Sequence, residues 1–242
     1  SELRSGHGDR NAHRRTRPRQ RLARAGVPER KAHFDPDCRR CPRLAGFLAE
    51  LRDHHPEYWN KPVPAFGDSS AKLLIVGLAP GRHGANATGR PFTGDFAGIL
   101  LYRTLHEAGL ASAAESVQRD DDLRLLGCRI TNAVKCLPPQ NKPTTSEVNT
   151  CNSFLAHELE ALPDGAVVFA LGTIAHRAVL KAFALKQADF RFAHGACHQL
   201  DGDRWLVDSY HCSRYNTQTR RLTAEMFTSA LAEAKRLAFS SP

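Results

Sequence analysis

Four short apolar runs of strand type narrow the fold of this chain more than any other feature. They are KLLIVG (72–77), CRITNAV (128–134), AVVFALG (166–172) and RWLVDSY (204–210). Between and after them lie segments with helical apolar spacing, at 95–110, 144–162, 173–183 and 223–238. The second of these opens with Thr144 and Glu147, the spacing of a capping box. An earlier helical pattern, CPRLAGFLAELRDHH, places Leu44, Phe47, Leu48 and Leu51 on one face. Largely apolar strands that alternate with helices form parallel sheets covered on both faces. The expected fold is therefore three-layer α/β/α with a central four-stranded, mainly parallel sheet. No internal repeat and no second core pattern is visible, so residues 34–242 read as a single domain.

Ligands of such sheets lie beyond the carboxyl ends of the strands. That rule selects 77–95, 131–140, 172–176 and 208–217. The first contains Phe92 and Asp95, the second Asn132, Lys135 and Cys136, and the last His211, Arg214, Tyr215 and Asn216. An acid, an amide, an imidazole and aromatic rings from three separate segments are expected on one rim. His176, also beyond a strand end, reads as structural.

The loop GLAPGRHGANATGRPFTGDFAG (77–98) follows the first strand. Gly77, Gly81 and Gly84 miss the G-x-G-x-x-G spacing of dinucleotide sites. Gly89 to Gly94 has P-loop glycine spacing, but Asp95 stands where the lysine belongs, and a carboxylate repels phosphate. The loop offers an acid rather than a nucleotide cradle. Asp95 also precedes a helical segment and suits its N-cap.

Charge is unevenly placed. Of 34 Lys and Arg and 25 Asp and Glu, ten basic and three acidic residues fall within residues 1–31. Residues 1–33 read as a basic, flexible N-terminal tail, either an electrostatic arm for a polyanion such as DNA or a solvated segment. No apolar run reaches the length of a membrane helix, and no secretion signal is visible.

Seven cysteines occur, an odd number that argues against a disulfide framework. Cys38 and Cys41 form CRRC, and Cys136 and Cys151 follow singly. Four thiolates suit an iron–sulfur cluster or zinc. One CxxC rather than the two of a zinc ribbon favours a [4Fe–4S] cluster. With its shell complete, the metal reads as structural. Cys128 reads as a small core residue.

The loop 77–98, ITNAVKCLPP and HCSRYNTQT together resemble the uracil-DNA glycosylase superfamily, and within it the iron–sulfur-containing family 5, or type B, over about residues 35–238. Leu78, where family 4 carries an acid, is the family-5 pattern. Cys212 departs from it, since the last motif there reads His-Pro-Ser. The resemblance implies a monofunctional glycosylase that everts and excises uracil from double-stranded DNA to begin base excision repair. Hypoxanthine and ethenocytosine are implied as further substrates. It also implies a monomer acting in the bacterial cytoplasm at the nucleoid. Cys38, Cys41, Cys136 and Cys151 carry over as cluster ligands, and Asp95, His211 and Asn132 as catalytic residues. Gly77, Leu78, Ala79, Gly81, His83, Asn86 and Phe92 join Asn132 at the base. Arg214, Tyr215, Asn216 and Lys135 are expected on the DNA. A non-catalytic, metal-stapled nucleic-acid-binding protein is the competing reading.

Overall fold

The structure, a computed structural model, describes residues 32–200 and 202–240. The basic segment 1–31 lies outside the described residues. Helix α1 (Pro42–His54) starts with proline in its first turn, where a missing N–H costs no hydrogen bond. The sheet strands are β1 (Phe66–Gly67), β2 (Leu73–Gly77), β3 (Cys128–Asn132), β4 (Val167–Leu171), β5 (Cys197–Gln199) and β6 (Trp205–Ser209). The helices that follow α1 are the short α2 (Ala85–Thr88), α3 (Phe96–Glu107), α4 (Thr145–Glu160), α5 (Thr173–Ala182), α6 (Arg214–Gln218) and α7 (Ala224–Phe239).

The sheet has six strands in the order β1-β3-β2-β4-β6-β5, which corrects the expected four. The four expected strands form its parallel centre, and β1 and β5 add antiparallel edges. The two edge strands are two and three residues long, FG and CHQ, with no buried residue. They carry no apolar period, so only pairing with a neighbour defines them.

Strand alternation sorts the core into two layers. Leu73, Ile75, Ile130, Phe169 and Val207 pack with Leu101 and Leu105 of α3 and Phe227 and Leu231 of α7. Leu74, Val76, Val168, Ala170 and Leu206 pack on the other face with Leu155 and Leu159 of α4 and Val179 of α5. A third cluster joins Leu44, Leu48 and Leu51 of α1 to Phe154 of α4, around Cys136 and Cys151. Thr144 and Glu147 form the expected capping box at α4. Among the described residues no helix is long and apolar enough to cross a membrane.

Candidate active site and cysteine centre

The register of β2 on β3 pairs Gly77 with Asn132, so both strands end at one level. The chain stays zipped just beyond, through Ala133 N–H to the Gly77 carbonyl at 2.9 Å and Val134 N–H to the Leu78 carbonyl at 3.0 Å. A Cβ on Gly77 would stand 2.4 Å from Asn132 Oδ1 and 2.5 Å from Phe92 Cζ. Only glycine lets this amide and this ring share the space. Asn132 is buried, and its Oδ1 has no hydrogen-bond partner. Leaving a buried acceptor unmade costs about 1–3 kcal/mol, and Asn86 Oδ1 and Arg204 Nε are likewise buried without a partner among the described residues. Phe92, at φ +54, is buried and stacks on His211 with ring centroids 5.9 Å apart.

Asp95 caps α3, its Oδ1 accepting from Gly98 N–H at 2.8 Å. Its second oxygen faces the glycine loop, where a Cβ on Gly84 would come within 2.6 Å of Oδ2 and one on Gly81 within 3.3 Å. Burial holds the carboxyl above the usual carboxylate range, against the opposing pull of the Gly98 and Ala97 amides. The acid is thus both a cap and a half-buried carboxylate at the rim. His211 follows β6, with its carbonyl tied to Asn216 Nδ2 at 2.8 Å. Burial pulls its imidazole down to about 4, so the ring is neutral at pH 7 and keeps a donor and an acceptor. Cys212 behind it is fully buried in the core. Its thiol is pushed up by burial and by the charge of Asp95.

The other expected site residues divide. Leu78 and Ala79 follow β2 at the rim, and Ala79 packs against the cysteine cluster. Arg214 lies over the ring of Phe96 at 5.0 Å, and Tyr215 is 70% exposed on α6. Both are presented to solvent beside Asp95. His83 is exposed, with its Nδ1 2.9 Å from Tyr58 Oη. Asn86 is buried, with Nδ2 donating to Asn60 Oδ1 at 2.8 Å. Lys135, expected on the DNA, is buried instead. Its ammonium donates to both oxygens of Glu158 at 2.8 and 2.9 Å and to Thr131 Oγ1. The alternation beyond β3 turns the side chain inward, and the ion pair keeps it there.

The sequence reading missed the brace over the loop. Arg90 is buried and donates to Asp121 Oδ1 and to the Arg119 carbonyl, with its guanidinium 4.4 Å above Phe66. The run of three acids at 120–122 was its only trace in the sequence. Also unexpected is a polar cluster at β6. Asp208 Oδ1 meets His176 Nδ1 at 2.8 Å, and Oδ2 meets His198 Nε2 at 3.1 Å.

Cys38, Cys41, Cys136 and Cys151 line one cavity between α1, α4 and the segment after β3. Cys41 sits at the N-cap of α1. Lys135 N–H points at Cys151 Sγ at 3.3 Å, and Arg40 Nε at Cys38 Sγ at 3.5 Å. Arg43 of α1 pairs with Glu147 of α4 at 2.7 Å, closing the same junction. Burial pushes the Cys151 thiol up to about 11, and burial with the other three sulfurs pushes Cys136 up too. Burial and the neighbouring sulfurs disfavour the thiolates of Cys41, Cys136 and Cys151, and a bound cation reverses that. The donor set fits a thiolate-ligated metal centre.

Comparison with known proteins agrees with this geometry. The sequence profile of the Uracil DNA glycosylase superfamily matches residues 64–235. A type-5 uracil-DNA glycosylase of Thermus thermophilus is 53% identical over 206 residues, covering 83% of this chain and 94% of that protein. One from Pyrobaculum aerophilum is 45% identical over 202 residues, covering 82% and 88%. A type-4 uracil-DNA glycosylase of Archaeoglobus fulgidus is 34% identical over 155 residues, covering 62% and 69%. The glycine loop, the amide beyond β3 and the imidazole beyond β6 all lie within the matched span, and this chain belongs to the uracil-DNA glycosylase superfamily, in its type-5 family.

Proposed function

We propose that this chain is a monofunctional uracil-DNA glycosylase that everts uracil from double-stranded DNA and hydrolyses the bond from C1′ to the base. The observation that carries this reading is the set of unspent polar groups around Gly77. The Asn132 Oδ1 has no partner, and no side-chain bond ties the His211 ring. The second Asp95 oxygen faces the glycine loop. The type-5 relatives support it by name.

The chemistry follows from these groups. As the C1′–N1 bond breaks, its electron pair leaves on the base, and the sugar becomes oxocarbenium-like. The Asp95 carboxylate stabilises that cation and accepts a proton from the water that adds to C1′. Neutral His211 donates to the developing anion at the base O2. Asn132 Oδ1 accepts from N3–H and its Nδ2 donates to O4. Cytosine lacks that N3–H and offers an amino group at C4, so it leaves the amide unmatched. Phe92 stacks on the everted base. Eversion costs a few kcal/mol, least at a mispair, and Tyr215 or Arg214 occupies the gap. The reading extends to hypoxanthine and ethenocytosine, to action as a monomer, and to the cytoplasm.

The cofactor is a [4Fe–4S] cluster held by Cys38, Cys41, Cys136 and Cys151. The cluster supplies a structural staple between α1 and α4. Spacing supports it over one zinc ion. Zn–S bonds of about 2.3 Å require sulfurs about 3.8 Å apart. Among the described residues the group of three or more possible ligands with all donor atoms within 4.8 Å is His176, His198 and Asp208, not these cysteines.

A duplex with one G·U pair, treated with alkali after incubation, tests the reading. Alkali-dependent cleavage by the parent chain, strongly reduced in Asp95→Asn, is the expected result. Cleavage equal in both removes Asp95 from the chemistry. DNA binding without cleavage by either leaves a nucleic-acid-binding protein. Iron and sulfide analysis of the purified protein tests the cluster, and stoichiometric zinc in their place overturns it.

A further inference from the structure

The flank of the site carries two arginines without partners. A groove of about 370 Å³ runs between α3 and the turn from α6 to α7. Its lining begins at Phe96 and Thr217, directly beside Asp95 and the His211 loop, and includes Ile99, which is 59% exposed. Arg103 and Arg220 wall it, and no carboxylate lines it. Arg103 also borders the neighbouring hollow, which Glu107 and Glu225 line, but it forms no salt bridge with either among the described residues.

The neighbouring arginines are already engaged. Arg214 lies over Phe96, and Arg221 lies over Tyr210 at 4.7 Å. Arg103 and Arg220 are exposed, and neither has a salt bridge, side-chain hydrogen bond or aromatic partner among the described residues. Arg220 also stands at φ +56, just past the end of α6. Glycine is the usual residue where a helix ends in this left-handed conformation. An arginine there gives up backbone comfort, and its side chain makes no compensating contact among the described residues.

We propose that this groove seats backbone phosphates of duplex DNA flanking the everted nucleotide, with Arg103 and Arg220 as the cations that hold them. The proposal rests on the glycosylase reading and extends it to a surface outside the catalytic rim. No carboxylate lines the groove itself, and neither guanidinium has an ion-pair partner among the described residues, so both are free to meet a polyanion. Each such contact releases condensed counterions and adds about 0.9 to the slope of log affinity against log salt.

Affinity of the full chain for a G·U duplex, read by anisotropy across a potassium chloride series, tests this. Arg103→Gln and Arg220→Gly should each lower the salt slope by about 0.9, and the double variant by about 1.8. The single-turnover excision rate at saturating enzyme should stay unchanged. Arg220→Gly relaxes the backbone as it removes the charge, so its thermal midpoint should hold or rise. Arg177→Gln, an exposed arginine on α5 at the opposite sheet face, should leave the slope unaltered. A parental slope in the double variant overturns the proposal, as does an equal loss in Arg177→Gln. A parent chain that binds with the full slope but excises no uracil overturns the glycosylase reading and leaves the slope comparison standing.

Discussion

Two clusters in this molecule contain an aspartate and histidine near the ends of the same strands, yet they are built to opposite ends. At β6, His176 lies between two oxygen acceptors, with Nδ1 at 2.8 Å from Asp208 Oδ1 and Nε2 at 3.0 Å from the Phe190 carbonyl. The second Asp208 oxygen takes His198. Both ring nitrogens of His176 and both oxygens of Asp208 are used, and the cluster fastens α5, β5 and β6 together. At the rim the arrangement is inverted. Asn132 leaves an acceptor unmade, and burial pushes both Asp95 and His211 towards their neutral forms. Burial is common to both clusters. Internal satisfaction separates the two clusters, since buried polar groups are usually paired and the Asn132 acceptor is not.

The sharpest test of this contrast is Asp95→Asn. Asparagine caps a helix as well as aspartate does, so α3 keeps its start. Excision should fall by about 10²–10⁴-fold, the range for a lost general base or charge stabiliser. Stability should move the other way. A carboxyl whose folded pKa is raised contributes stability below its ordinary value, and loses it as pH rises through the folded value. Above its raised folded value the parent bears a half-buried carboxylate at Asp95, and Asn removes that cost. Thermal midpoints at pH 7 should therefore be higher for Asp95→Asn, with the gap closing in acid. A lower midpoint at pH 7 would contradict the assignment of strain to this group.

Asp208→Ala should behave in reverse. Removing one partner of a buried, hydrogen-bonded pair costs about 3–5 kcal/mol. Denaturant unfolding should register that loss, while the single-turnover rate per folded molecule stays near the parent value. Loss of turnover without loss of stability would make the β6 cluster catalytic and dissolve the comparison. Lys135→Ala belongs with it. It strands Glu158 in the core, so stability should drop by a similar amount while the salt slope of DNA binding holds.

The pH profile sharpens the rim. His211 is held neutral down to about 4, so it should not titrate between pH 5 and 8. Its folded pKa is depressed, so its contribution to stability is present above the unfolded value and lost as pH falls towards 4. Single-turnover activity should decline in acid through the ionisation of Asp95 alone, with a midpoint above the ordinary carboxylate value. In His211→Gln that acid limb should stay in place while the plateau drops. A limb near 6.5 that vanishes with His211 would show an imidazolium in the reaction. The smallest effect belongs to Tyr215→Ala. Its exposed ring contributes little to folding, so stability should shift by no more than about 0.5 kcal/mol. Excision from an A·U pair should fall several-fold more than from G·U, because the better-paired base needs more help to leave the stack.

The path from sequence to structure was uneven for a physical reason. The four central strands, the capped helices and the convergence of Asp95, Asn132 and His211 were legible, because apolar period and strand-end position are local properties. The four-cysteine centre was legible because CxxC spacing is local and its chemistry is specific. The edge strands FG and CHQ were not, since only their partners define them. Lys135 was misread because strand alternation past β3 turns it inward onto Glu158, 23 residues away in sequence. Arg90 on Asp121, across 31 residues, and Asp208 on His176, across 32, were equally hidden. The sequence by itself determined the layer order, the cysteine set and the rim on which Asp95, Asn132 and His211 stand. Tertiary structure alone decided which polar groups were spent on one another and which were left open, because hydrogen-bond satisfaction depends on distances across the fold that no local pattern encodes.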